Sequence, residues 1–246
     1  MATRNIKLTI AYDGSGYHGW QMQRGLKTIQ GAVASALYHL IGSKVMVYGA
    51  SRTDAGVSAL GQVAVIQIDS PIPTEKLAIA TTNRLPSDIV VTEAVEVDEA
   101  FDVSADVKSK LYRYTIFTGP VRPVMQIRHC WHLPEKLNTE AMAEAAKMLI
   151  GKKDFKSFAA AADNRETSIR TIFRCDVTND NDWIYIDVEG DGFLYNMVRN
   201  IVGTLVEVGR EKIEPQKIEQ ILEAKDRTAA GPIAPASGLC LMWIKY

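Results

Sequence analysis

Hydrophobic and polar positions alternate with a period of two near the start of the chain. Ile6, Leu8, Ile10 and Tyr12 interleave with Lys7, Thr9 and Ala11, the pattern of a strand with one buried face. Thr28 then precedes Ile29, Ala32, Val33, Ala36, Leu37 and Leu40, whose spacing places them on one side of a helix that Thr28 can cap. Two β-rich runs follow, Val45–Tyr48 and Val63–Ile68. Pro71-Ile72-Pro73 breaks the second, Thr74 is placed to cap a short helix through Arg84, and Ile89–Val97 reads as a strand. The first hundred residues therefore run β-α-β-β-α-β, a ferredoxin-like arrangement.

The same order returns. Lys110–Thr118 reads as a strand, and Thr139–Ile150 as a helix with Met142, Ala145, Ala146 and Leu149 on one stripe. Ile169–Val177 and Trp183–Val188 read as strands around the polar hairpin 178–182, Phe193–Val208 as a second helix, and Leu239–Ile244 as a closing strand. The pattern predicts an α/β fold of the α+β type with two ferredoxin-like βαββαβ halves, residues 1–105 and 106–246. Two such sheets set edge to edge would leave a cleft where they meet, a common binding position. No repeat is readable in the residues themselves, so the duplication is one of pattern alone.

Composition narrows the class. The 246 residues are 47% hydrophobic and 23% charged, ordinary values for a globular protein. No apolar run approaches the roughly 18 residues of a membrane span, and the N-terminus passes directly into a strand pattern, leaving no room for a signal peptide. Cys130, Cys175 and Cys240 are odd in number and far apart, giving neither a zinc pair nor a disulfide framework, so the expected compartment is the reducing cytoplasm. A net charge of −1 does not favour nucleic-acid binding by itself. Its distribution is uneven: Lys and Arg outnumber Asp and Glu by 6 to 2 over residues 1–60 and by 13 to 8 over 101–175, and are outnumbered 2 to 7 and 7 to 12 over 61–100 and 176–246. Two positive blocks on one face could follow a phosphate backbone; on separate faces they are ordinary solvated charge.

Four stretches carry candidate chemistry. The first is Gly49–Gln62, a loop of Gly, Ala and Ser held between two strands, in which Arg52 and Asp54 are the charged residues. A carboxylate there can act as nucleophile or base, and a guanidinium two residues away can steer a phosphate or displace a base. The plain alternative is a turn-capping Asp54 and a solvated Arg52. An aspartic-protease reading fails, because Ala55 has no hydroxyl and no second such loop exists. The second stretch, Asp13–Gln21, is a glycine-rich turn with aromatics. It is no phosphate loop, since no Gly-Lys-Ser/Thr follows, and Trp20 is expected in the core. The third is Lys110-Leu111-Tyr112-Arg113-Tyr114, where both tyrosines share a strand face and can pack in the core or enter a cleft. The fourth is Gly190–Gly203, a turn leading into an apolar helix in which Arg199 is the lone cation for three turns and calls for an acid or a phosphate. His129-Cys130-Trp131-His132 has metal-ligand residue types but no second half, and reads as packed or surface residues.

In order and spacing these stretches resemble the TruA family of tRNA pseudouridine synthases. The matching strings are Tyr12-Asp13-Gly14 with Tyr17-x-Gly19-Trp20-Gln21, Arg52-Thr53-Asp54-Ala55-Gly56-Val57 with Gly61-Gln62-Val63, Lys110-x-Tyr112-x-Tyr114, Phe193-x-x-x-Met197-Val198-Arg199-Asn200-x-Val202-Gly203, and Gly238-Leu239-x-Leu241. The resemblance spans Tyr12 to Leu241. It implies the pseudouridine synthase fold, a mixed and mainly antiparallel sheet with a central cleft. It implies an isomerase acting as a homodimer on uridines at positions 38–40 of the tRNA anticodon arm, by base flipping, cleavage of N1–C1′ and rejoining at C5. By the same resemblance Asp54 is catalytic, Tyr112 stacks on the target base and Arg199 pairs with the aspartate; Arg52, from its place two residues before Asp54, is the candidate for presenting the base. No cofactor, metal or membrane is implied. The chain departs from the family pattern at Ser51 (a Gly), Ser58 (a His), Phe101–Ala105 (Phe-His-x-Arg-Phe) and Cys240 (a Tyr). A paralogue modifying another RNA, or a non-catalytic RNA-binding or chaperone protein on the same fold, are the alternatives.

Overall fold

The structure, a computed structural model, describes residues 3–246. Met1 and Ala2, the start of the segment read above as leaving no room for a signal peptide, lie outside the described residues. The described residues separate into two compact units, residues 3–108 with Leu241–Tyr246, and Ser109–Cys240.

The first unit contains β1 (Arg4–Tyr12), α1 (Ile29–Ile41), β2 (Val47–Gly49), β3 (Ser58–Ile68), α2 (Thr74–Thr82) and β4 (Ile89–Val97). Its strands run in the order β4-β1-β3-β2, every pair antiparallel, which is the ferredoxin-like order. β1 is central, so its alternate residues Ile6, Leu8 and Ile10 are fully buried, and Ile29, Val33, Ala36 and Leu37 supply the buried side of α1. Thr28 caps that helix, its hydroxyl accepting from Gly31 N at 3.3 Å. Thr74 does not cap α2. Pro73 holds that position without a side-chain bond, and the Thr74 hydroxyl accepts from Arg4 Nη1 (3.0 Å) and donates to Glu96 Oε2 (3.4 Å). β3 begins at Ser58, five residues before the run of branched residues that predicts it, because Ala59–Gln62 pair with β1 in a ladder with a register shift between Ile10 and Tyr12. The closing residues also belong here: Lys108 N donates to Lys245 O (2.9 Å), and Gly61 lies so near Met242 that a Cβ would stand 2.6 Å from its carbonyl oxygen.

The second unit contains β5 (Ser109–Phe117), β6 (Trp131–His132), α3 (Thr139–Lys147), β7 (Gly151–Asp154), β8 (Ile169–Asp180), β9 (Trp183–Gly190), α4 (Met197–Gly209) and α5 (Lys217–Ala224), and β10 (Leu239–Lys245) starts in it. Its antiparallel order is β5-β9-β8-β7, with the short β6 parallel beside β5. The sheet is thus mixed and mainly antiparallel, and the α/β class holds. β6, β7 and α5 are additions to the strand–helix–strand–strand–helix pattern. The hairpin is tighter than 178–182: Asp180 pairs with Trp183, leaving Asn181-Asp182 as a two-residue turn with Asn181 at φ 53°.

α4 starts at Met197, four residues later than the periodicity predicts. Asn196 adopts φ 60°, and Met197 N bonds to Leu194 O at 3.1 Å, so Phe193–Asn196 is a turn. The helix itself is buried almost all round, including the polar Asn200 and Thr204. Those two are paired: Asn200 Nδ2 donates to Phe158 O (2.8 Å), and Thr204 Oγ1 donates to Asn200 O (2.8 Å) while accepting from Gly231 N (3.0 Å). The loop that follows α5 lies directly on this helix, and a Cβ on Gly203 would stand 1.7 Å from Pro232 O. Gly203→Ala must push loop and helix apart, and the expected loss is about 1–3 kcal/mol or more, read as a lowered urea midpoint; an unchanged midpoint would mean that the loop yields freely.

Candidate active-site residues

Arg52 and Asp54 lie on one short loop of the first unit, between β2 and β3; Arg52 is exposed and Asp54 half-buried. The chain around them is tied at nearly every residue. Ala50 N donates to Val63 O (2.8 Å), Ser51 O accepts from Gln62 Nε2 (2.6 Å), and Thr53 O accepts from Trp20 N (3.0 Å). The Thr53 hydroxyl meets Tyr12 Oη at 2.8 Å. Beyond the aspartate, Val57 N donates to Asp54 O (3.1 Å) and Gly56 N to Tyr17 O (3.3 Å), with Gly56 at φ 81°. The glycine-rich turn after β1 is the other wall. Gly19, at φ 81°, presses on the loop so closely that a Cβ would stand 2.6 Å from Thr53 O. Trp20, 1% exposed, packs on Gly49 and is a core residue as expected.

The turn after β1 has its own brace. Tyr17 Oη donates to Asp88 Oδ1 at 2.6 Å, and Lys27 Nζ sits 4.1 Å from the centre of the Tyr17 ring. Burial and then the Asp88 contact push the phenol's pKa well above its ordinary value, so it stays a donor. Ser58, where the family pattern has His, is buried and accepts from Gly14 N at 3.1 Å, joining the turn to the first residue of β3.

Tyr112 and Arg199 belong to the second unit. Tyr112 and Tyr114 share one face of β5, as the period of two requires, and both are buried. Their surroundings differ. Tyr114 is fully buried, donates to Pro235 O at 2.8 Å, and has its phenol pKa raised by burial against a smaller opposing effect of the Arg199 charge. Tyr112 packs edge-on against Phe193, ring centres 5.3 Å apart. The turn that delays α4 thus sets a ring against Tyr112, a neighbour that the sequence periodicity assigns to the helix. Lys110, on the same face, is half-buried. Burial first, and the charge of Arg165 second, lower its ammonium pKa to about 8.

Arg199, on the first turns of α4, is half-buried. Its Nε donates to Ala234 O (2.8 Å), its Nη1 to Asn196 Oδ1 (3.1 Å), and its own carbonyl accepts from Ala234 N (3.1 Å). The guanidinium plane is therefore oriented by the loop after α5 and by the left-handed Asn196. Of the other candidates, Cys130 is buried with its thiol pKa raised by that burial, and a His132 ring nitrogen lies 3.0 Å from Gly119 O. Among the described residues no group of three or more His, Cys, Asp or Glu could hold a metal ion, and no helix is long and apolar enough to cross a membrane.

A family model described as "tRNA pseudouridine synthase" matches residues 8–104 and 145–246. The chain is 43% identical to a tRNA pseudouridine synthase A of a Thermoanaerobacter species over 99% of this chain and 100% of that one. It is 44% identical to the enzyme of that name from Acetivibrio thermocellus, again over 99% and 100%. With the one from Moorella thermoacetica it shares 46% over 98% and 99%. Among solved structures, it is similar to a chain of an H/ACA RNP bound to a substrate RNA containing 2′-deoxyuridine. That likeness covers 82% of this chain and 44% of the other at 9% identity and a TM-score of 0.36, too slight to bear on function.

Proposed function

The chain belongs to the tRNA pseudouridine synthase A family, and from that premise we infer that it is an isomerase converting uridine to pseudouridine in tRNA. The observation that carries this is relatedness over essentially the whole chain, 43–46% identical to three enzymes of one name. The reaction breaks N1–C1′, turns the uracil and joins C5 to C1′; C5 gives up its proton and N1 ends with one, so atoms balance without an added group. Release of tritium from C5-labelled uridine in bulk tRNA tests the assignment. Turnover is the expected result, and RNA binding without release would favour a non-catalytic RNA-binding protein.

The finer reading concerns residues and substrate. Asp54 is the carboxylate that acts at the sugar, by attack at C1′ or by removal of the C2′ proton. Tyr112 faces the flipped base, Arg52 helps bring it out of the stack, and Arg199 pairs with the carboxylate and orients it. The target is the anticodon arm, and the working form is a cytoplasmic homodimer. What supports these roles is the motif match, together with the way each unit holds its own side chains. Arg199 in particular spends Nε and Nη1 on fixed acceptors, which orients the remaining donors of its fork. Arg199→Lys keeps the charge and loses the planar fork, so kcat on tRNA should fall roughly 10–100-fold without vanishing. A lysine variant with full kcat would remove the orienting role.

A further inference from the structure

We infer that Gln62, Tyr12 and Thr53 are positioning residues for Asp54, linked by buried and part-buried hydrogen bonds that fix the loop on both sides of Arg52. The inference rests on the reading of Asp54 as the catalytic carboxylate. Gln62 is fully buried in β3, a place where an apolar side chain would avoid the cost of desolvating an amide. All of its polar atoms are used. Nε2 donates to Ser51 O at 2.6 Å and reaches Tyr12 Oη at 3.4 Å, while Oε1 accepts from Val63 N at 3.1 Å. Those three contacts also fix which way round the amide stands, since the carbonyl of Ser51 needs a donor and the Val63 N–H an acceptor.

The links run outward from the sheet to the loop. The register shift in the β1–β3 ladder, where Ile10 pairs with Gln62 and Tyr12 with Ala59, falls where Tyr12 and Gln62 meet. Tyr12 Oη then meets Thr53 Oγ1 at 2.8 Å. Ser51 and Thr53 flank Arg52, and Thr53 immediately precedes Asp54. Both are held by side chains from strands that already have their own ladder partners, so the sheet does not need these bonds to form. Thr53 is fixed twice, at its hydroxyl and at its carbonyl, which accepts from Trp20 N. The main chain leading into Asp54 is thereby held on the side of Thr53. Catalysis at a sugar carbon depends on that placement, and a displacement of about 1 Å can cost on the order of 100-fold in rate.

The test compares Thr53→Val, Thr53→Ser and Gln62→Met with the parent enzyme, measuring kcat and KM on tRNA and the urea midpoint. Valine keeps the shape of threonine and loses the hydroxyl; serine keeps the hydroxyl. The expected result is a kcat lowered about 10–100-fold in Thr53→Val, with KM changed less than about threefold, and most of kcat recovered in Thr53→Ser. Gln62→Met should show the same split; should it fail to fold, the Thr53 pair decides. Parent-like kcat in Thr53→Val, or an equal loss in Thr53→Ser, overturns the inference. Asp54→Asn is assayed alongside. Full turnover there removes the catalytic reading itself, whereas a dead Asp54→Asn beside a fully active Thr53→Val removes the positioning role alone.

Discussion

Asp54→Asn should abolish pseudouridine formation, by roughly 1,000-fold or more, while leaving the fold and RNA binding intact. Asparagine has the shape of aspartate but is neither basic nor nucleophilic, and either route at the sugar requires one of those properties. The surroundings argue that the substitution is structurally mild. The loop is held by its main chain and by Ser51, Thr53 and Gly56, whose bonds to Gln62, Tyr12, Trp20 and Tyr17 do not pass through the Asp54 side chain. Thermal or urea unfolding should therefore move little. The decisive measurements are tritium release and a filter-binding assay on the same protein. Turnover near the parent rate would end the assignment of Asp54, and loss of RNA binding together with turnover would make the residue part of the binding surface.

Tyr112→Phe should lower turnover by about 100-fold with RNA binding retained. Phenylalanine keeps the ring, its place on β5 and its edge-on contact with Phe193, and so keeps any stacking on a base. What it removes is the hydroxyl, the group able to carry the C5 proton. Kinetics with C5-deuterated substrate would show whether loss of that proton has become limiting. A variant with parent turnover would leave the ring with a stacking role only. A variant that fails to fold would place the hydroxyl in the core, as Tyr114 is placed through its bond to Pro235 O; Tyr114→Phe is the control for that outcome.

Much of this protein is readable from its residues. Alternation in β1 and β9 and the stripe in α1 name the elements, because a half-buried strand and an amphipathic helix each leave a fixed period in the sequence. The Thr28 cap is local chemistry and is legible for the same reason. The loop with Asp54, the β5 tyrosines and the lone cation of α4 are likewise visible, as residue types out of keeping with their neighbours.

Tertiary contacts decided the rest. β3 starts at Ser58 because β1 pairs with Ala59–Gln62, whose Ala, Gly and Gln carry little strand preference and do not announce a strand. α4 starts at Met197 because Asn196 turns left-handed, which places Phe193 on Tyr112 rather than in a helix. Thr74 gives its hydroxyl to Arg4 and Glu96, partners 70 and 22 residues away, instead of to its own helix. Gln62 reads as the last residue of a loop until its amide, in β3, is seen to close on Ser51 and Tyr12. Gly203 and Gly61 look like weak points in a helix and a strand, yet each marks where a distant main chain, at Pro232 and at Met242, comes within the space of one methyl group. Periodicity records which side of an element is buried; it holds no record of which remote atom does the burying, and that only the folded chain supplies.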